Sequence, residues 1–189
     1  MKKILFLVAT LTLCSCGKSK VETFLREKEP NITTLEIIEE SKEDSAYTPY
    51  NTLLSLNMEY ASIGADISKL REKAMQEESK DKVIMYLDSA INVHKKRSGE
   101  ISKILFNCHR YISLPSICEE PFNRKFITAK YRLNGKLKEQ RFFFNNDGKS
   151  IGHTDEDTKA LYKEVETTAY GTLNIENEII KDMRMIRGY

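Results

Sequence analysis

The chain has 189 residues, 31% of them charged and 40% apolar, with four cysteines and no tryptophan. Its 30 Lys and Arg against 28 Asp and Glu leave a formal charge of +2, far from the basic footprint of a nucleic-acid binder. The length suits one ordinary domain plus a short extra segment, and the composition is that of a helix-rich globular protein.

Met1-Lys2-Lys3 is a short basic start, and Ile4 to Leu13 is almost uninterruptedly apolar. Ten residues fall short of the ~20 that a spanning helix needs, and the flanks fit a cleaved export signal. Leu13-Cys14-Ser15-Cys16 resembles a bacterial lipobox. Cys16 has a small residue before it and an aliphatic one three before it. Cys14 follows the bulky Leu13 and should leave with the signal. The expectation is a signal peptide at 1–15 and acyl groups on Cys16. A diacylglyceryl and an N-acyl chain together bury enough CH₂ groups, at ~0.8 kcal/mol each, to hold the protein on a membrane without spanning it. Loss of Lys2 and Lys3 leaves 28 basic residues against the same 28 acidic ones, so the slight basicity belongs to the signal. No other run is apolar enough to cross a membrane, which leaves the lipid bilayer, reached through the acyl groups, as the first expected partner.

Gly17 to Glu29 is polar and charged and reads as a tether lifting the rest off the bilayer. Asn31 to Glu40 offers a capping box at Thr33 and Glu36, or a strand favoured by Ile32, Thr33, Thr34, Ile37 and Ile38. The short distance from Pro30 to the turn-like 41–51 favours the strand. The first division is therefore 16–50, a lipidated N-terminus with tether and strand, before a single α+β domain at 51–189.

From Leu53 the apolar residues step by three and four: Leu53, Leu56, Tyr60, Ile63, Ile67, Leu70 and Ala74. The step resumes through Ile84, Leu87, Ile91, His94, Ser98, Ile101, Leu105, Cys108 and Ile112 until Leu114-Pro115 stops it. These are heptad stripes of two helices. Six polar residues at 77–82 offer no face to bury, so the expectation is an antiparallel helical hairpin over 52–114. A rod of this kind usually serves as a spacer or a partner surface. The heptads leave two pairings open, within one chain or between two. His94-Lys95-Lys96-Arg97 reads as a solvated helix face, with His94 itself on the apolar stripe.

Over 124–152 the period becomes two. Ile127, Ala129, Tyr131 and Leu133 share a strand face, and Asn134-Gly135 leads into a second strand to Phe144. A two-residue turn would oppose Leu133 to Lys136. A three- or five-residue turn with Gly135 left-handed would instead bring Leu137 and Phe143 onto the Ile127 face, and this longer turn is the expectation. Phe142 and Phe144 on the other face call for a cover, for which the helical rod is the candidate. Asn145 to Gly148 makes a turn, and 149–152 a short third strand. Thr154-Asp-Glu-Asp157 begins a last helix over 154–187, with acids in its first turn and a bend or break near Gly171. The fold class is α+β: a long helical hairpin with a small antiparallel sheet and a C-terminal helix.

Three stretches carry a wider resemblance: Asp44 to Asn51 (DSAYTPYN), Pro121 to Arg132 (PFNRKFITAKYR) and Phe142 to Gly152 (FFFNNDGKSIG), in this order behind Cys-Ser-Cys-Gly. Together they resemble small envelope lipoproteins of Bacteroidota. The resemblance implies an envelope lipoprotein with a helical hairpin and a small sheet, and it carries no catalytic residues. By the same likeness, Gly17-Lys18-Ser19-Lys20 lacks the acids of surface-exported members, which favours facing the periplasm, and lacks the inner-membrane retention aspartate of other bacteria, which favours the outer membrane. Asp44-Ser45-Ala46 resembles an O-glycosylation motif of that group, making Ser45 a candidate site. Asp88-Ser89-Ala90 matches as well, within a helix.

Cys108 and Cys118 are the remaining thiols, and an oxidising envelope permits a disulfide between them. Closing so short a loop would stabilise by roughly 2 to 3 kcal/mol. The alternative is that Cys108 is a small buried hydrophobe on the stripe. Cys108 and His109 point about 100° apart on a helix and form no nucleophile–base pair. His153 lies beside Asp155 and Asp157, which read as helix caps rather than metal ligands. A calcium loop aligned on Gly148 would put Phe143 and Thr154 where carboxylates belong. No metalloprotease, paired-cysteine or nucleophile-elbow motif is present. The expectations are therefore no metal, no cofactor and no catalysis. The favoured role is structural or interactive, with another envelope protein as partner. The alternative is a small-ligand or inhibitor module with a pocket among Tyr131, Phe142, Phe144 and the helices.

Overall fold

The computed structural model describes residues 17–41, 46–113 and 123–188. The expected signal peptide at 1–15, Cys16, Ser45 and Cys118 lie outside these. The chain is α+β, and its described residues form two compact units, one of 17–41, 46–48 and 123–158 and one of 49–113 and 159–188. A helical unit is inserted between two parts of a sheet unit, and strands from both sides of the insertion pair with each other.

In the sheet unit, helix α1 (17–28) is followed by strands β1 (Ile32–Glu40) and β2 (Ala46–Tyr47). Strands β3 (Asn123–Arg124), β4 (Phe126–Leu133), β5 (Lys136–Phe144) and β6 (Ile151–Thr154) come after the insertion. The antiparallel order is β1-β4-β5-β6, and β2 pairs with β3 in a separate two-stranded sheet. Ser41 ties the end of β1 to the start of β4 twice: its N–H donates to the Phe126 carbonyl and its Oγ accepts from the Phe126 N–H.

The β4–β5 turn has two residues, not three or five, and Leu133 opposes Lys136. Asn134 takes φ 51° and Gly135 φ 79°, as tight primed turns require. Asparagine tolerates that region, so the loop closes with no extra residue. The consequence is the face assignment. Ile127 opposes Phe142, and Phe142 and Phe144 join Ile127, Ala129 and Tyr131 on one buried face. Phe143 turns to the opposite face with Phe126, while Leu137 is left 62% exposed.

What covers the Phe142 face is α1, not the helical rod. Val21 and Leu25 are buried against it, and Phe24 meets Phe142 edge-on at 6.0 Å. The expected tether is thus a packed helix. Its three apolar residues occupy one side at i, i+3 and i+4, the spacing that brings side chains together on a helix. Beneath it, the Tyr131 hydroxyl donates to Gln140 Oε1 at 2.8 Å, satisfying both buried polar groups.

The helical unit holds α2 (Tyr50–Met75), α3 (Lys80–Ser113) and most of α4 (Asp155–Arg187). The first two form the expected hairpin, bending at 76–79. Their stripes are buried at Leu53, Leu56, Tyr60, Ile63, Ile67, Ala74, Leu87 and Cys108. Helix α4 adds Leu161 and Val165 to the cluster holding Leu53, Leu56 and Cys108, and Ile179 and Met183 to the cluster of Ile67 and Leu87. It runs through Gly171 without a break, where an added Cβ would meet nothing within 4 Å. At its start Thr154 and Asp157 make a reciprocal cap: the Asp157 N–H donates to Thr154 Oγ1 at 3.1 Å, and the Thr154 N–H to Asp157 Oδ2 at 2.8 Å.

Candidate functional site

Two heptad positions of α3 carry polar residues, and they organise a cleft in the helical unit. His94, Ser98 and Ser102 stand at i, i+4 and i+8, so they line one side of α3. Tyr60 of α2 and Glu166, Tyr170 and Leu173 of α4 complete a cleft of about 300 Å³. That volume is at the small end of ligand sites. Tyr60 and Ser102 hydrogen-bond through their hydroxyls at 3.1 Å, and Ser102 also donates to the Ser98 carbonyl at 2.6 Å.

At this cleft His94 is 6% exposed, and so is Glu176 of α4. The His94 Nδ1 lies in close contact with Glu176 Oε2, without the alignment of a hydrogen bond. Removing a carboxylate and an imidazole from water is costly unless they face each other, and here each is the other's counterpart. With Nδ1 turned to the carboxylate, the ring lines the cleft beside two serine hydroxyls. The arrangement can offer a ligand a hydrogen bond from an oriented imidazole.

A second concavity, about 340 Å³ and mostly apolar, lies near the hairpin bend, lined by Ala74, Met75, Val83, Leu87, Met185 and Ile186. Met75 is 77% exposed and Met185 62%. The single acid in its wall, Asp182, accepts from Arg71 Nε at 2.9 Å, and Glu178 holds the same guanidinium. These ion pairs leave the groove itself to apolar side chains.

The basic stretch after His94 is not a plain solvated face. Arg97 reaches across to α2, donating to Glu59 Oε1 at 2.7 Å and Asp66 Oδ2 at 2.6 Å. The Glu59 hydrogen bond, and then Asp66, hold its pKa above the ordinary arginine value against the opposing pull of burial. Arg97 is a cross-helix tie.

In the sheet unit His153 is buried, stacked on Phe143 with ring centres 5.1 Å apart, and hydrogen-bonded through Nε2 to Thr48 Oγ1 at 2.7 Å. Burial pushes its pKa down to about 4; Asp157 opposes this, while Arg124 and Lys28 add to it. Its neighbours serve the fold. Arg141 holds Asp155 through two bonds of 3.0 Å, and Asp157 caps α4 and accepts from Lys28 at 2.8 Å. Burial pushes the Asp157 carboxyl up, but the bonds from Lys28 and Thr154 outweigh it and hold the pKa below the ordinary value. Among the described residues, no three His, Cys, Asp or Glu side chains come together as metal ligands.

Of the residues singled out in the sequence, Cys108 is buried against Leu53, Leu56 and Tyr60. Ser89 lies in α3 and donates to the Met85 carbonyl at 2.8 Å. Tyr131, Phe142 and Phe144, around which a pocket was expected, are buried and packed against Val21 and Leu25 of α1. Glu176 had escaped the sequence reading. Its one signal is a carboxylate a single position past Ile175 on an apolar stripe. No protein-family model, curated protein or solved structure matches the chain.

Proposed function

We propose that this chain is a lipid-anchored envelope protein whose helical unit receives an apolar segment of another envelope protein, with no catalytic step of its own. The observation that carries the reading is the groove bordered by Met75 and Met185. Large thioethers left open to water around a concave apolar wall suit an adaptable contact, since methionine repacks to fit varied partners. Anchoring is supported by the Leu13-Cys14-Ser15-Cys16 motif, which would hold the groove at a membrane surface where partners are concentrated.

The test is photo-cross-linking of the full chain in a Bacteroidota host, with the reactive group at 185 and a control at the exposed Glu36. One adduct of constant mass should form from 185, be absent from 36, and fall at least roughly tenfold with Met75→Glu, about the effect of a lost hot-spot contact. Equal labelling from both positions, or no loss with Met75→Glu, sinks the interaction. Membrane fractionation and intact mass beside Cys16→Ala test the anchor separately.

A second reading, a small-ligand module, is favoured by the His94 cleft rather than by the sheet face. It predicts that a small molecule co-purifies with the native protein and is lost from a Ser98→Leu variant. A native mass spectrum without added mass counts against it.

A further inference from the structure

Cys16 is bonded directly to Gly17, so their Cα atoms are about 3.8 Å apart. Gly17 already belongs to the folded sheet unit. It is buried, and a Cβ there would stand 2.6 Å from Glu40 Oε2 and 3.3 Å from Ile127 Cδ1. Four residues on, Val21 is fully buried. Any acyl chain on Cys16 would therefore have no spacer between it and the packed helix.

The surface at this end of the sheet unit has its own chemistry. Lys18 is exposed in the first turn of α1. Lys20 and Lys125 each set their ammonium 4.9 Å from the centre of the Phe144 ring. A notch of about 230 Å³ is lined by the ammonium groups of Lys20 and Lys149, the hydroxyls of Ser19, Thr23 and Ser150, and one carboxylate, Glu27. Of the nearby acids, Glu40 is engaged by Lys125 at 3.1 Å, and Asp147 accepts from the Lys149 N–H at 2.9 Å.

We propose that this end of the sheet unit, carrying Lys18, Lys20 and Lys149, lies directly on the bilayer, with its lysines among the lipid phosphates. The proposal rests on acylation of Cys16. At 1.5 Å per residue Lys20 stands roughly 4.5 Å along α1 from Gly17, within the depth of one headgroup layer. The acyl groups and the lysines then act on the same few ångströms of membrane. The first supplies attachment, and the second orients the unit through attraction to anionic lipid.

The experiment is lysine footprinting of the full acylated protein with a membrane-impermeant acylating reagent, in vesicles of phosphatidylglycerol and phosphatidylcholine and in detergent. Intact mass reports the lipid on the same sample. The reference is Lys136, exposed at the other end of β5. Labelling of Lys18, Lys20 and Lys149 should slow at least roughly threefold in vesicles relative to Lys136, the order expected for a surface held within a Debye length of anionic lipid. A flexible insert of about 20 residues between Cys16 and Gly17 should abolish the difference. Acylated protein whose lysines all label alike overturns this proposal and leaves the anchor intact. Protein without acyl mass overturns the anchor and the proposal together.

Discussion

Thr34 sits in β1 at φ 51°, a region where a β-branched residue is strained. The pairing of β1 with β4 shifts between Thr33 and Leu35, so the strain marks a bulge in an edge strand, where bulges discourage further pairing. The side chain is exposed, and replacing it forfeits little packing. Asparagine adopts this conformation more readily than threonine. Thr34→Asn should raise stability by about 0.5 to 1 kcal/mol in urea unfolding, and an equal or lower midpoint would count against a strained threonine. His153 gives a second residue-scale expectation. Its folded pKa of about 4 is below the ~6.5 of an unfolded histidine, so acid protonates the unfolded chain first. The stability it contributes is complete above pH 6.5 and is lost as the pH falls from there to about 4, on the order of 3 kcal/mol in all. Asp157, held below the ordinary carboxylate value, titrates under that window. Urea midpoints at pH 7, 6, 5 and 4 should trace the loss, and His153→Gln should flatten it.

At the scale of elements, α1 is the clearest case of an outcome set by tertiary contact. Val21, Phe24 and Leu25 are too few to make a stripe among charged neighbours, so 17–28 carries almost no periodic signal. Burial against Ile127 and Phe142 decides it, since most helical stability in proteins comes from packing rather than propensity. The hairpin was legible for the opposite reason: its stripes repeat over many turns, and local pattern and tertiary contact agree. The β4–β5 turn was misread because Leu137 looked like a core residue, whereas the two-residue geometry of Asn134-Gly135 fixed the register. The candidate cleft was half legible. His94 and Ser98 were legible only as members of the α3 stripe, and Glu176 is distant in the chain, so only the packing of α4 brings it there. The packed α1 makes a sharp expectation. Leu25→Ala, at a 3% exposed site, should cost about 2 to 4 kcal/mol in chemical unfolding. A tether would predict no change, so a cost under about 0.5 kcal/mol, the scatter of surface substitutions, would return 17–28 to that role.

For the whole molecule, the interleaved units mean that neither is one continuous stretch of chain. The helical unit needs α4 from beyond the strands: Leu161, Val165, Ile179 and Met183 are its buried contributions to the two helical clusters. At about 1.5 to 3 kcal/mol for each buried side chain, these four supply roughly 6 to 12 kcal/mol of gross burial. That is as large as the net stability of a typical domain. Without them the α2–α3 hairpin keeps one seam and exposes the other side of Leu53, Leu56, Ile67 and Leu87. Glu176 would also leave, stranding the buried His94 without its carboxylate. The sheet unit, by contrast, keeps α1, all its strands and the Thr154–Asp157 cap if the chain stops after Thr158. Such a truncation should lose much of its helical circular dichroism, and proteases should cut quickly within 49–118. Fragments joining 17–48 to 123–158 through strand pairing should persist longer. If the truncated hairpin instead resists protease and melts cooperatively, it is an autonomous rod and α4 is a peripheral cover. The His94 cleft would then owe its shape to α2 and α3 alone.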